Sequence, residues 1–315
     1  MPSVVVTEFM DPEGLDAMRA HADVVYRPEL GTARAELLEA VAGADALVVR
    51  NRTQVDAELL ARAPRLRVIG RLGAGLDNID VDAAHRLGIH VVFARGANAE
   101  AVCEYVFAAL FHLLRHLHEA SAAVHAGDWP REEFIGNELS GRTLGLLGFG
   151  EVGRRVARGG MAFGMHVIAY DPLLTPDDVR RAGLDVPLLP LGEVLSRTDV
   201  LSLHLPLLPE TRHLIDAKAL AGMRRGAILL NTSRGGVVDE QALADALVSG
   251  RMAGAVLDVR EQEPPSQPDP LAPLPQVVLT PHLAGLTVQA QERVGASVAR
   301  DVLAVLQGGQ PLHQA

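Results

Sequence analysis

Between Leu144 and Pro172 the chain reads LGLLGFGEVGRRVARGGMAFGMHVIAYDP: an apolar run, three glycines, an amphipathic segment and a second apolar run that ends on one acid. Few folds accept that order. Gly148, Gly150 and Gly153, with Glu151 and Val152 between them, form G-x-G-x-x-G directly after a strand candidate and at the start of a helical pattern. In such a turn the first glycine permits the tight bend and the second lets the backbone approach a pyrophosphate. The third lets helix and strand pack closely, so a diphosphate meets the amides and dipole of the helix N-terminus. Asp171 closes the next strand candidate about 20 residues on, where a carboxylate accepts hydrogen bonds from the adenosine ribose hydroxyls. The same acid repels a 2′-phosphate, and no basic residue follows it in DPLLTPDD, so NAD is expected over NADP.

The rest of the chain repeats this rhythm. SVVVTEF, ADVVYR, DALVVR, LRVIGR and IHVVF are short apolar runs set between amphipathic stretches such as Arg34 to Val41. Strand, helix, strand at such spacing means a parallel sheet with helices on both faces. A long helical pattern from Ala99 to about Ala120, long enough to bridge two domains, precedes a second series: TLGLLGF, HVIAYD, VLSLHL, AILLNTS, AGAVLDV and VVLTP. These runs are nearly continuous in apolar residues, as strands buried on both faces are. The last helical pattern, Leu286 to Leu306, follows the second sheet alone and is expected to pack back on the first domain, making that domain discontinuous. QEPPSQPDPLAPLPQ, residues 262–276, reads as a proline-rich loop.

Composition narrows the function classes. The 315 residues are 48% hydrophobic, enough for two domains with separate cores. A formal charge of −10 is the wrong sign for a partner of nucleic acid phosphates. No apolar run approaches the roughly 20 residues of a membrane span, and MPSVVVTEFMDPEG has no basic leader, so a cytoplasmic protein is expected. The single Cys103 excludes an internal disulfide and a cysteine-cluster metal site; its EAVCEYVF setting reads as a buried structural thiol, and no metal is expected.

Three polar residues late in the second series lie just beyond strands, where α/β sheets bind ligands: Arg234 in LLNTSRGGVVDE, Glu263 in AVLDVREQEPP and His282 in VVLTPHLAG. Each alone is ordinary. Together they meet the needs of 2-keto acid reduction, which requires a cation for the substrate carboxylate and a proton donor for the forming alkoxide. It also requires a carboxylate to favour the charged form of that donor. In the reverse direction a neutral His282 takes the hydroxyl proton.

At these residues the sequence resembles the D-isomer-specific 2-hydroxyacid dehydrogenases. GRLGAGLDNIDV, ANAEAVCEYV, GRTLGLLGFGEVG, SLHLPLLPETRHLI, NTSRGGVVDE, DVREQEP and TPHLAG occur in the family's order and approximate spacing across nearly the whole chain. The resemblance implies two doubly wound parallel-sheet domains: a Rossmann NAD-binding domain, residues 98–285, inserted in a flavodoxin-like substrate-binding (catalytic) domain, residues 1–97 and 286–315. It makes Arg234 the carboxylate clamp, His282 the acid/base and Glu263 its partner. It puts Asp258 near the nicotinamide amide and lines the cofactor with Thr232, Ser233 and Arg234, together with His204, Pro206, His282 and Gly285. Backbone amides of Leu72, Gly73, Ala74 and Gly75 are implied to bind the substrate carboxylate. Arg260, where an aromatic is frequent, and Cys103 and Tyr105, where Ala and His are common, depart from the pattern and are expected to leave the chemistry untouched. The chain ends soon after His282, so the C-terminal regulatory domain of longer phosphoglycerate dehydrogenases is not expected. The Ala99 to Ala120 helix and the AGDWPREEFIG loop resemble the family's dimer arm, with Trp129 as an anchor in a homodimer.

For the substrate, VVTEFMD and VVRNRTQVDAELLARAPRLRVIGRLGAGLDNID resemble the bacterial (S)-sulfolactate dehydrogenase branch. Arg50 and Arg52 leave a strand of the small domain, where two guanidinium groups can grip a second anion on C3 of the substrate. Replacing the methyl of D-lactate by CH2SO3 renames the same hand from R to S, so a D-specific fold makes (S)-sulfolactate from sulfopyruvate. Phosphoglycerate carries its phosphate at a similar reach, and glyoxylate/hydroxypyruvate reductases share the motifs. A different class, NAD-sensing corepressors of this fold, also carries the three residues but adds extended tails, which this sequence lacks.

Overall fold

The computed structural model describes residues 1–315 and divides into two compact units, 1–98 with 286–315, and 99–285. The first unit runs β1 (Ser3–Val6), α1 (Pro12–Arg19), β2 (Asp23–Tyr26), α2 (Arg34–Ala40), β3 (Ala46–Val49), α3 (Ala57–Arg62), β4 (Val68–Arg71), α4 (Val81–Arg86) and β5 (His90–Phe93). The second begins with α5 (Ala99–Arg115) and α6 (Leu117–His125), then β6 (Thr143–Leu147), α7 (Glu151–Ala162), β7 (His166–Tyr170), α8 (Pro176–Arg181) and α9 (Leu191–Arg197). It continues with β8 (Val200–Leu203), α10 (Ala217–Gly222), β9 (Ala227–Asn231), α11 (Glu240–Val248), β10 (Met252–Leu257) and β11 (Val277–Leu279). Helix α12 (Val288–Leu306) returns to the first unit.

The first sheet is parallel throughout, in the order β2-β1-β3-β4-β5, that of flavodoxin-like folds. Helices α3, α4 and α12 start where an acid or hydroxyl satisfies an orphan amide: Asp56 accepts from Leu59 N, Asp80 from Ala83 N and Thr287 from Ala290 N. Helix α12 packs on α1 and β4, burying Val294, Val298 and Val302 in the same core as Val4, Val48 and Val68. Burying each such side chain contributes about 1.5–3 kcal/mol.

The second sheet is also parallel, β11-β10-β9-β8-β6-β7. Every residue of β8 and β9 is buried, which accounts for their unbroken apolar sequences. Outside β7, Leu188 forms an isolated parallel bridge with Ala169, held by Ala169 N to Pro187 O at 2.9 Å and Leu189 N to Ala169 O at 2.8 Å. With that bridge counted as a vestigial strand, the order is the 3-2-1-4-5-6 of dinucleotide-binding sheets plus one further strand, β11. Pro187 and Pro190 flank the bridge and deny it the amides of a longer strand.

The helix expected from Ala99 to about Ala120 is broken. His116 takes a left-handed conformation, φ 51°, between α5 and α6, and the carbonyl of Leu114 accepts from Asn137 N instead of from the next helical turn. Side chains along both halves keep a helical pattern, so the break leaves no mark in the sequence. No helix is long and apolar enough to cross a membrane.

Candidate active site

The glycine turn follows β6, beside β8, where the strand order reverses. Gly148 has φ +90°, and a Cβ there would lie 2.4 Å from the carbonyl oxygen of His204. A Cβ on Gly153 would lie 2.3 Å from the carbonyl oxygen of Gly148, so helix and turn meet only because both residues are glycine. Around Gly150 the position of a Cβ is open for 4 Å, and α7 starts there without a side-chain cap. That is the space a diphosphate needs to meet a helix N-terminus. Asp171 is fastened to the turn: Oδ2 accepts from Phe149 N at 2.9 Å and Oδ1 from Leu173 N at 3.0 Å. Beside it, burial pushes the imidazole of His204 down to about 4, so it is neutral, with Nε2 3.0 Å from Ser202 Oγ. Pro206 carries a carbonyl that accepts from Thr211 Oγ1 at 2.7 Å.

Beyond β9 the turn 231–234 is built by Asn231. Its Oδ1 accepts from Ser233 N and Ser233 Oγ at 3.0 and 2.8 Å, and its Nδ2 donates to Arg234 O at 2.9 Å. The Ser233 hydroxyl is thus committed to the turn. Thr232 Oγ1 is buried with no hydrogen-bond partner, a polar atom that a cofactor would satisfy. Together with the open face of Gly150, this orphan hydroxyl fits a dinucleotide. The Arg234 guanidinium is steadied by its own turn, Nη1 to Ser233 O at 2.6 Å.

The Glu263 and His282 side chains meet: Nδ1 lies 2.8 Å from Oε2, which directs Nε2 to a substrate. Burial opposes ionisation of Glu263, but the hydrogen bond and charge of His282, the amide of Arg260 and the charge of Arg234 outweigh it. The carboxyl is held below its ordinary value and is ionised at neutral pH. His282 itself has φ 55°, and its amide donates to Asp258 O at 2.7 Å.

Asp258, expected beside the nicotinamide amide, is almost wholly buried and turns both oxygens onto the turn that follows β11. Oδ1 accepts from Thr280 Oγ1 at 2.7 Å and Leu283 N at 2.8 Å, and Oδ2 from Ala284 N at 2.8 Å. Its visible work is to hold the strained turn that presents His282, just ahead of Gly285 at the end of the unit.

In the first unit, the amides of Leu72 and Gly73 are already used, donating to Val49 O and Arg71 O at 2.8 Å each. The implied anion-binding amides therefore reduce to Ala74 and Gly75. Gly73 takes φ +147°, a backbone conformation that residues with a side chain rarely adopt. After β3, the buried Glu8 gathers four successive amides: Oε1 accepts from Arg50, Arg52 and Thr53, and Oε2 from Asn51 and Arg52, at 2.9–3.3 Å. Asn78 Nδ2 donates to the carbonyls of Arg50 and Thr53 at 3.2 and 2.6 Å. The loop that bears Arg50 and Arg52 is thereby clamped from both sides. Nothing in its spacing announced Glu8 or Asn78 as partners.

Two residues expected to leave the chemistry untouched do reach it. Tyr105 Oη lies 2.5 Å from Thr280 Oγ1, which donates to Asp258, and burial pushes the phenol up to about 12. Arg260 donates its amide to Glu263 Oε1 at 3.1 Å. Cys103, half-buried with its thiol pushed up to about 11 chiefly by burial, stands apart as a structural residue.

Residues 107–284 match the model of the D-isomer-specific 2-hydroxyacid dehydrogenase NAD-binding domain. The chain is 45% identical over 299 residues to the (S)-sulfolactate dehydrogenase of Chromohalobacter salexigens, covering 93% of this chain and 95% of that one. It is 48% identical over 308 residues to the D-3-phosphoglycerate dehydrogenase of Mycobacterium leprae, covering 98% of this chain but 57% of that longer relative. A crystallised protein of Thermus thermophilus superposes with a TM-score of 0.91 at 38% identity, 99% of each chain covered. With fold, glycine turn and relatives in agreement, the chain belongs to the D-isomer-specific 2-hydroxyacid dehydrogenases, NAD-dependent oxidoreductases of 2-hydroxyacid and 2-keto acid pairs.

Proposed function

We propose that the protein interconverts a D-type 2-hydroxy acid bearing a second anion on C3 with its 2-keto acid, most simply (S)-sulfolactate and sulfopyruvate, using NAD rather than NADP. The observation that carries the chemistry is the 2.8 Å contact of Glu263 with His282 Nδ1, which leaves Nε2 as the one ring nitrogen for substrate. When bound, NADH supplies the hydride to the keto carbon. Arg234 holds the substrate carboxylate in its planar fork. His282 delivers the proton from Nε2 to the forming alkoxide while Glu263 balances the imidazolium charge. For oxidation the same nitrogen, now neutral, removes the hydroxyl proton.

Support for the second anion comes from the clamped 50–53 loop. Burial disfavours the charge on Arg50 more than the nearby Glu8 carboxylate favours it; its Nη1 lies 3.5 Å from the carbonyl of Phe9, and a guanidinium so desolvated gains from a further anionic ligand. The name of the Chromohalobacter salexigens relative points to the sulfonate. A kinetic panel tests the reading: sulfopyruvate, phosphohydroxypyruvate, hydroxypyruvate and glyoxylate, each with NADH and NADPH, for wild type, Arg50→Ala and Arg52→Ala. A charge-assisted contact contributes about 1.5–3 kcal/mol, roughly ten- to a hundredfold. One arginine variant should lose that factor in kcat/KM for sulfopyruvate and keep glyoxylate turnover. Equal losses on both substrates would make the arginines structural, and equal kcat/KM with the two cofactors would remove Asp171 as a selector.

The expected homodimer draws support from a bare surface. Helix α6 has no buried residue, and Trp129 and Ile135 are 75% and 76% exposed. Large apolar side chains grouped in this way suit the centre of a protein interface. Sedimentation velocity should find a dimer that Trp129→Glu converts to monomer; a monomeric wild type would end the proposal.

A further inference from the structure

An ion cluster fixes the loop that bears Glu263. Arg260 has a side chain only 8% exposed and lies between two carboxylates. Its Nε and Nη2 fork onto Glu240 at 3.1 and 2.9 Å, and its Nη1 and Nη2 onto Asp269 at 2.8 and 2.9 Å. Two bidentate contacts on one planar group determine its position in every direction. Glu240 is the first residue of α11 and also accepts from Glu261 N at 2.7 Å. Asp269, 3% exposed, accepts from Leu271 N at 2.9 Å, and Leu271 is fully buried in the core. The guanidinium therefore ties the loop to a packed helix on one side and to the core on the other.

The same residue touches the catalytic groups through its backbone. Its amide donates to Glu263 Oε1, while Oε2 of that carboxylate faces His282. Its carbonyl lies against Gly235, where a Cβ would come within 2.0 Å of the oxygen, one position after Arg234. Glu261, on the same loop, turns away to Arg212 and His213 at 3.1 and 2.8 Å. The charged groups acting on Glu263 are thus His282 and Arg234, with Arg260 supplying an amide. Between β10 and β11 the loop has no helix or strand of its own, so without the fork little would hold Glu263 in register with the imidazole.

We propose that Arg260 is a positioning residue for the Glu263–His282 pair, its double fork onto Glu240 and Asp269 keeping the carboxylate on Nδ1 throughout turnover. The role rests on the reading of His282 as acid/base. A displacement near 1 Å in such a pair can cost about a hundredfold in rate. Arg260→Met alone would strand two carboxylates, so the informative protein is the triple variant Arg260→Met, Glu240→Gln, Asp269→Asn, which removes them.

Keto-acid reduction by NADH is measured across pH for wild type, Glu263→Gln, Arg260→Lys and the triple variant, with thermal melting and NADH binding alongside. The triple variant should bind NADH normally, lose about ten- to a hundredfold in kcat and shift its alkaline limb to lower pH, as Glu263→Gln does. Arg260→Lys should fall between it and wild type. Adding Glu263→Gln to the triple variant should cost little more, because both changes break one contact. A folded triple variant with wild-type kcat and alkaline limb, or losses that simply add, overturns the role of Arg260. A limb that Glu263→Gln itself does not move overturns the acid/base reading instead.

Discussion

Replacing His282 with alanine is expected to lower kcat for keto-acid reduction by at least about two orders of magnitude, the usual scale of a lost general acid. NADH affinity should stay nearly normal, because the glycine turn and Asp171 lie on other strands of the sheet. The expectation follows from the ring's surroundings. Nδ1 is taken by Glu263, the backbone is locked by Asp258, and Nε2 is the nitrogen directed to substrate. Since Glu263 stays ionised until pH falls through its lowered value, the pair is intact at neutral pH and is lost on the acid side. Steady-state kinetics with NADH titrated separately decides the matter. A His282→Ala protein with more than half the wild-type kcat would remove the imidazole from the mechanism.

Arg234→Ala should be nearly as damaging, but in kcat/KM. A guanidinium fork on a carboxylate makes two charge-assisted hydrogen bonds, each worth about 1.5–3 kcal/mol, so the loss should reach about a hundredfold or more for every 2-keto acid. Arg234→Lys restores charge without the fork and should recover only part of it. The effect must be common to sulfopyruvate and glyoxylate, since both carry the C1 carboxylate, which separates Arg234 from Arg50 and Arg52. Loss confined to one substrate would show that Arg234 reads the tail and not the carboxylate.

Much of this molecule is legible in its sequence for a plain reason. Strands such as β3 and β9 are buried on both faces, so apolar runs mark them, and a diphosphate turn cannot be built without Gly148 and Gly153. The residues proposed for the chemistry, Arg234, Glu263 and His282, follow strands β9, β10 and β11 in chain order, which is how a single sequence can offer them as candidates. The omissions are equally physical. His116 breaks a helix whose periodicity continues through it, and the bridge at Leu188 is too short and too rich in neighbouring proline to read as a strand. Glu8, Asn78 and the Arg260 cluster act through partners distant in sequence, and a single chain carries no trace of who meets whom. The amides of Leu72 and Gly73 donate within the fold, which a motif does not show because it names residues and not the hydrogen bonds they make.

The proposed chemistry is hydride transfer to C2 of a 2-keto acid on one face, with His282 supplying the proton. Reduction with NADH deuterated at the transferable C4 position tests it most directly, followed by chiral analysis of the product. One deuterium at C2 of the hydroxy acid and a single D-type configuration are expected, which for sulfopyruvate is (S)-sulfolactate. Bound NADH that no 2-keto acid consumes, or a product without deuterium at C2, would contradict it and leave a dinucleotide-binding protein in place of a dehydrogenase.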